Sequence, residues 1–485
     1  EETGQLTLGF ERALPDLNDN IKCGNSLIGW DYFEGQLLPN EEEVARVNPF
    51  EWEKDFSEVF ANGGFDAVIG NPPYIRIQTM KEWTHGEVDF LKNNYITASK
   101  GNYDIYVVFV ERGMSLLKIN GSLGFILPHK FFTAKYGEPL RNIIDEGKYI
   151  RKVVHFGDLQ VFENATTYTC LMFLSKGSRE EISVSKVLNI QGWRNKNEKS
   201  IRACYIVPLR GSEWNVINKN FISINSKLSL IQTKLSVITD RIFQGLVTGA
   251  DKVFILKNLG NNEYYSYSTK KIYKLENDLM HPLCKGSVNI RRYFINELEK
   301  SILFPYKIVN HKAILFTPDE LSKKYTQVWV YLEENRTILE NREHGKWKHD
   351  RWYALGRSQN LTEMEQKKIL TPSIANRASF VLDDVDYFYF VGSGGGGGGG
   401  YGITLKEDEI IAYEYVLGLL NSKLLDMYLK SYSSQFSGGY YAYNKQYIEK
   451  LPIHIINFSN PMEVIKHDNM VALVAHMLEL HKRTT

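Results

Sequence analysis

The sequence predicts an α/β fold: a doubly wound, mainly parallel sheet in the first part of the chain, followed by a mixed α+β domain. Three observations carry this. Between residues 65 and 175, short apolar runs closed by Gly, Pro or Asn alternate with segments of helical periodicity, the rhythm of βα units. Beyond about residue 220 that alternation gives way to short β-like runs, many tyrosines and long charged connections. The first apolar run, Phe65–Ile69, is closed by Gly70 and passes into Asn71-Pro72-Pro73-Tyr74. Such a rim at the carboxyl end of a strand is where open α/β sheets hold ligands.

Taken in order, Asn20–Gly29 reads as a short strand and turn, and residues 31–64 as an acidic helical or loop connection to the Phe65 strand. A polar stretch, 76–101, reads as a mobile loop. Tyr103–Lys118 has helical spacing, with Ile105, Phe109, Met114 and Leu117 near one face. Asn120-Gly121 is a turn, Leu123–Leu127 the next buried strand, 137–147 a helix, Ile150–Phe156 a strand and Tyr168–Leu174 another. The expected boundaries are 1–215 for the first domain, 220–455 for the second and 460–485 for a carboxyl-terminal helix. Within the second domain, Lys252–Leu256, Ser301–Phe304 and Phe380–Val391 read as β, and 326–343 and 407–429 as single helices. Gly394–Gly400 is an unbroken glycine run. Composition favours a flexible linker there, with close approach of backbone to a ligand as the alternative.

At 485 residues the chain is long enough for two or three domains. No run approaches the ~18 apolar residues of a membrane span, which argues against a membrane partner. Cys23, Cys170, Cys204 and Cys284 are far apart and form no CxxC pair, a pattern of buried thiols in a reducing cytoplasm rather than of disulfides or zinc. His85, His129, His281, His344 and His349 lack metal-ligand spacing, so no metal is expected. Net charge is +1, but residues 285–377 carry 17 Lys and Arg against 11 Asp and Glu. That excess reads either as a phosphate footprint or as a solvated mixed-charge face.

The chemistry lies in the rim. Two prolines in succession remove two amide donors and push their predecessors towards extended geometry. What remains is an amide side chain, backbone carbonyls and an aromatic face. An exocyclic amine on a planar ring is a poor nucleophile because its lone pair is delocalised. Two acceptors, the Asn71 side-chain oxygen and the Pro72 carbonyl, can hold both amine hydrogens and localise that lone pair, while Tyr74 stacks on the ring. The competing reading is a plain Pro-Pro turn after a strand.

Further blocks give the rim a context. These are Lys100-Gly-Asn-Tyr-Asp-Ile-Tyr106, Gly124-Phe-Ile-Leu-Pro128 and Val161-Phe-Glu-Asn-Ala-Thr166. In the second half they are Gln244–Asp251, Leu283–Gly286 with Ile290–Tyr293, Trp352-Tyr353, Leu419–Lys423 and Leu451-Pro452. With Asn71–Tyr74, this set resembles the gamma-class adenine-specific DNA N6-methyltransferases of restriction–modification systems, including type II and IIG enzymes, with a TaqI-like target-recognition domain. The resemblance covers nearly the whole chain from about residue 20. It implies a partial Rossmann-like methyltransferase domain followed by a target-recognition domain.

The resemblance further implies S-adenosyl-L-methionine as cofactor, double-stranded DNA as partner, and a nuclease domain or subunit as a further partner in the parent protein. It implies Asn71, Pro72 and Tyr74 as catalytic, and Tyr74 with Phe162 as the residues that stack on a flipped-out adenine. Asn25, in Gly24-Asn25-Ser26, and Asn71 would meet the cofactor. Arg291, Arg292, Arg377 and Lys445 are candidate DNA contacts in the recognition half, each also readable as an ordinary surface charge. The front glycine turn of the family is not found upstream of Gly24, so the chain is expected to be an amino-terminally truncated piece, weak in cofactor binding and inactive alone. Two alternatives stay open: a DNA-recognition fragment without catalysis, or an amine methyltransferase acting on RNA or protein glutamine.

Overall fold

The structure is a computed structural model that describes residues 20–163, 167–177, 182–208, 213–392, 398–407 and 411–484. The chain forms two compact units that divide between Lys219 and Asn220.

Unit 1 is built on a seven-stranded sheet: β1 (Phe65–Gly70), β2 (Leu117–Pro128), β3 (Ile150–His155), β4 (Thr169–Ser175), β5 (Ser183–Val187), β6 (Ile201–Pro208) and β7 (Trp214–Ile217), in the spatial order β1-β2-β4-β3-β5-β6-β7. β1 and β2 pair in parallel, as do β3 and β5. β4 lies antiparallel between β2 and β3, and β6 and β7 follow antiparallel. Five strands therefore run one way, β4 and β6 being reversed, which matches the expected α/β class and mainly parallel direction. The helix Tyr106–Ser115 buries Tyr106, Val107, Val108, Val110 and Met114 in the core of this unit. Gly113 lets it approach closely, since a Cβ there would lie 2.7 Å from Leu123 Cδ1.

One consequence of this topology matters for the site. β1, β2 and β3 share a direction, so their carboxyl ends, and the segments that leave them, lie at one edge of the sheet.

The segment 76–101, expected as a mobile loop, is helical instead: Ile77–Lys81, His85–Asn94 and a 3₁₀ turn at Ile96–Ala98. Two causes are visible. Ile77, Val88 and Leu91 are buried, and the Glu111 carboxylate accepts from the amides of Ile96 and Thr97 at 3.1 and 2.8 Å.

Unit 2 contains a six-stranded sheet, ordered Ile272–Lys274, Glu263–Ser266, Ile255–Gly260, Lys300–Leu303, Met280–Cys284, Tyr389–Phe390. A four-stranded sheet is ordered Val381–Asp383, Lys368–Pro372, Gly400–Leu405, Thr239–Gln244. Most neighbours are antiparallel, the pairing of Met280–Cys284 with Tyr389–Phe390 being parallel.

Three expectations are corrected in this unit. Residues 326–343 form three short helices, Thr326–Glu334, Arg336–Glu340 and Arg342–Gly345, where Asn335 and Asn341 leave helical geometry. The 407–429 helix is two, Tyr413–Leu420 and Lys423–Tyr432, because the Ser422 side chain caps the second by accepting from the Leu425 amide. Asp251–Phe254 is a helical turn that precedes the strand Ile255–Gly260. Residues 393–397, the greater part of the glycine run, lie outside the described residues.

Candidate active site

Asn71 leaves the end of β1 exposed, Pro72 is buried and Tyr74 is half-buried. The structure brings Asn71 and Tyr74 together: the Tyr74 hydroxyl lies 2.8 Å from Asn71 Oδ1 and 3.0 Å from the Ile126 carbonyl on β2. Burial pushes the Tyr74 phenol up to about 12, so it is a hydrogen-bond donor at neutral pH and not a base. Its ring stands edge-on to Tyr106, with centroids 6.3 Å apart. Tyr136 donates to Asp104 Oδ2 at 3.0 Å, which leaves the Tyr106 hydroxyl to donate to Tyr136 at 2.9 Å. The block at 100–106 therefore contributes the floor on which Tyr74 rests. Among the described residues, none donates a hydrogen bond to the Pro72 carbonyl.

Phe162 is half-buried, in the segment that follows β3. It shares the sheet edge with Asn71. Two strands separate β3 from β1, so the two strand axes stand roughly 14 Å apart. Residues 164–166 of its block lie outside the described residues.

The start of the Phe162 segment is held by two histidines. His129, just after β2, donates from Nε2 to the Gly157 carbonyl at 3.1 Å, and Gly157 donates its amide to His155 Nδ1 at 2.9 Å. Gly157 has φ +62°, a geometry a side chain rarely adopts. The two rings are 4.1 Å apart, so both must be neutral to pack this way. Burial pushes His129 down to about 4 and His155 well below its ordinary value.

The sign of the resulting pH dependence follows. Between about pH 6.5 and 4 the unfolded chain binds protons that the folded one refuses, so stability is greatest above pH 6.5 and falls on acidification. The expected slope is ~1.4 kcal/mol per pH unit for each histidine. Urea unfolding followed from pH 7.5 to 4.5 tests this, and His129→Gln should flatten the slope.

Asn25 is half-buried, and its Oδ1 accepts from the Leu27 amide at 3.1 Å. A Cβ on Gly24 would lie 2.6 Å from the Phe50 ring, so this glycine makes room for packing rather than for a ligand. Towards S-adenosylmethionine, the residues the resemblance assigns are Asn71 and Asn25, whose Oδ1 has a second lone pair beside the one taken by the Leu27 amide.

In unit 2, Arg291 folds back and donates to the carbonyls of Ser287, Ile290 and Val288 at 2.8–3.0 Å. Its guanidinium closes the turn Gly286–Asn289 rather than projecting outward. Arg292 lies over the Tyr293 ring at 5.4 Å, and Arg377 is exposed. Lys445 lines a polar cleft of ≈ 540 Å³ together with Arg241, Gln244, Gln359, Asn360 and Tyr401. Arg291, Arg292 and Arg377 are not part of that cleft lining. No group of three or more His, Cys, Asp or Glu able to hold a metal occurs among the described residues, and no described helix is long and apolar enough to cross a membrane.

Sequence reasoning singled out Asn71 and Tyr74 but missed Tyr136, the Ile126 carbonyl, His155 and Gly157. None of these carries a local signal. Each is recruited by the order of strands in the sheet.

Comparison with known proteins places the chain. Residues 8–162 match the Eco57I restriction-modification methylase family, and residues 263–453 match the TaqI-like C-terminal specificity domain. The chain is 29% identical over 489 residues to the type II restriction enzyme and methyltransferase RM.Eco57I of Escherichia coli, covering 97% of this chain and 47% of that protein. It is 23% identical over 462 residues to the type II methyltransferase M.HindII of Haemophilus influenzae, covering 89% and 82% respectively. The fold of the type IIL restriction–modification enzyme MmeI, solved in complex with DNA, matches with a TM-score of 0.56 at 11% identity, over 89% of this chain and 56% of that one. The chain is a homologue of the type II restriction–modification methyltransferases. More narrowly, the match to the Eco57I methylase family precedes the match to the TaqI-like specificity domain along the chain.

Proposed function

We propose that this chain serves methyl transfer from S-adenosylmethionine to N6 of an adenine in a specific duplex DNA site, as the gamma-class methylase part of a restriction–modification or phage-defence enzyme. The observation that carries the reading is the Asn71–Tyr74 rim: an exposed side-chain acceptor beside a backbone carbonyl, at the carboxyl end of a strand, with an aromatic ring held next to it.

When bound, the cofactor supplies an electrophilic sulfonium methyl. The chain's own residues do the rest. The adenine leaves the base stack at a cost of a few kcal/mol. Stacking on Tyr74 and Phe162 offsets part of this, at about 1–3 kcal/mol per ring. Asn71 Oδ1 and the Pro72 carbonyl accept the two amine hydrogens and turn the nitrogen lone pair out of conjugation. Most of the rate gain is therefore positioning. The methylated nitrogen is acidic and sheds its proton to water, so the site needs no strong base.

The specificity domain is the part that reads the duplex. Its amide-lined cleft at Gln244, Gln359 and Asn360, with Lys445 at the rim, has the side chains that recognise base edges and phosphates. Arg292 and Arg377 are further candidate contacts. A nuclease elsewhere in the same protein or system is in keeping with the similarity to RM.Eco57I, a restriction enzyme and methyltransferase.

The test, on the full-length parent enzyme, is single-turnover transfer of labelled methyl from S-adenosylmethionine to three acceptors: adenine-containing duplex DNA, RNA of the same sequence, and a glutamine peptide. Labelled N6-methyladenine in the duplex alone is expected. Transfer to RNA or peptide in preference would overturn the assignment. Calorimetry with the 485-residue chain alone is expected to give weak or no S-adenosylmethionine binding.

A further inference from the structure

The β1–β2 ladder ends at the pair Gly70 and Phe125. One residue further along β2, the Ile126 carbonyl faces a chain that has entered Pro72-Pro73, which has no amide hydrogen to offer it. The Tyr74 hydroxyl supplies the missing donor at 3.0 Å, and the same hydroxyl lies 2.8 Å from Asn71 Oδ1. One hydrogen thus faces two acceptors.

We propose, on the basis of the methyl-acceptor reading above, that the Tyr74 hydroxyl is a positioning group for Asn71 that hands its hydrogen between the two acceptors during the catalytic cycle. In the resting protein it donates to Asn71 Oδ1. This fixes the side-chain amide so that its oxygen, rather than its NH2, is held at the rim. An amide at an exposed position is otherwise free to rotate by half a turn, and the rotated form would present N–H to an incoming amine that also has only hydrogens to offer. When the amine arrives and donates to Oδ1, the Tyr74 hydrogen moves to the Ile126 carbonyl. Every donor keeps an acceptor throughout, and the Ile126 carbonyl, an acceptor with two lone pairs, is the group that goes without the Tyr74 hydrogen in the resting state. No bond other than hydrogen bonds forms or breaks in this step. The ring of Tyr74 stays on Tyr106 in both states, so stacking and orientation are separate properties of one residue.

The experiment is Tyr74→Phe in the full protein, with two readouts. The first is the side-chain amide NMR signal of Asn71 without substrate, assigned by its loss in Asn71→Ala. It is expected to shift in Tyr74→Phe, and an unmoved signal would overturn the hydroxyl–amide contact. The second is steady-state methylation together with 2-aminopurine fluorescence at the target position. We expect kcat to fall about tenfold, the size of one orienting hydrogen bond, with KM for DNA and the 2-aminopurine signal within twofold. 3-Fluorotyrosine at position 74, which keeps the hydroxyl, is expected to restore kcat. An unchanged kcat, or a rise in KM alone, would overturn the proposal. If Asn71→Ala itself still methylates, it is the parent reading that fails, and the NMR result still reports on the contact separately.

Discussion

Asn71→Ala is expected to lower the rate of methyl transfer by about 10²–10³-fold or more, the loss seen when one preorganised polar contact to the reacting group is removed. Binding of the target duplex should remain within a few-fold of the wild type. The reason is local. Asn71 is exposed at the end of β1, and its one described side-chain contact is the Tyr74 hydroxyl. Its removal therefore disturbs little of the fold, and Tyr74 can still donate to Ile126. The DNA-reading surface we assign to unit 2 is untouched by the change. A gel-shift titration beside a single-turnover transfer assay separates the two effects. Near-normal methylation by this variant would remove the rim from the mechanism.

Lys368→Met is expected to destabilise unit 2 by about 3–5 kcal/mol, the usual loss when one member of a buried ion pair is left alone. Lys368 and Asp383 face each other across the pairing of Lys368–Pro372 with Val381–Asp383, 2.7 Å apart and with side chains 0% and 1% exposed. Lys368 also donates to the Met364 carbonyl at 2.6 Å, and Asp383 accepts from the Phe388 amide at 2.8 Å. Burial pushes the lysine below its ordinary value and the aspartate above, each opposed by the other's charge. The single substitution strands a carboxylate out of water. Lys368→Met with Asp383→Leu removes both charges, and most of the lost stability should return. Chemical denaturation of the four variants decides it: additive losses in the double variant would show that the two side chains do not act as a pair.

The two predictions differ in how far the sequence foretold them. Asn71-Pro-Pro-Tyr74 is a contiguous signal, because consecutive prolines dictate backbone geometry without help from the rest of the chain. The strands around it were legible in part: Ile150–His155 was bounded by its apolar Ile150, Val153 and Val154, whereas the strand read as Leu123–Leu127 begins at Leu117 and runs through the Asn120-Gly121 expected as a turn. The Lys368–Asp383 pair was not legible. A lysine and an aspartate 15 positions apart meet only through an antiparallel register that no local pattern specifies. The helices at 77–94 were hidden too, since Ile77, Val88 and Leu91 are the buried apolar side chains of that polar stretch, and the turn after them is held by a distant carboxylate, that of Glu111. Long apolar periodicity overstated continuity at 326–343, where the backbone leaves helical geometry at Asn335 and Asn341, and at 407–429, where the Ser422 side chain caps a new helix. Among the candidate site residues, Arg291 shows the same limit: its charge was visible, whereas two of its three carbonyl partners lie in the turn it closes and the third, Ile290, just after it.

The position of β4 has a consequence for how unit 1 is made. Thr169–Ser175 is later in the chain than both of its neighbours, yet it lies between them. On a ribosome, β2 and β3 are complete before β4 exists, and antiparallel pairing with β4 is the contact that joins them. Until then each presents an open hydrogen-bonding edge, flanked by Leu123, Phe125 and Leu127 on one side and Val153 on the other. Pairings between segments distant in sequence form slowly. The nascent unit therefore passes through an interval with two sticky edges exposed, the state in which partly made sheets aggregate or require a chaperone. A translation pause or a proteolytic nick just before residue 169 would prolong that interval.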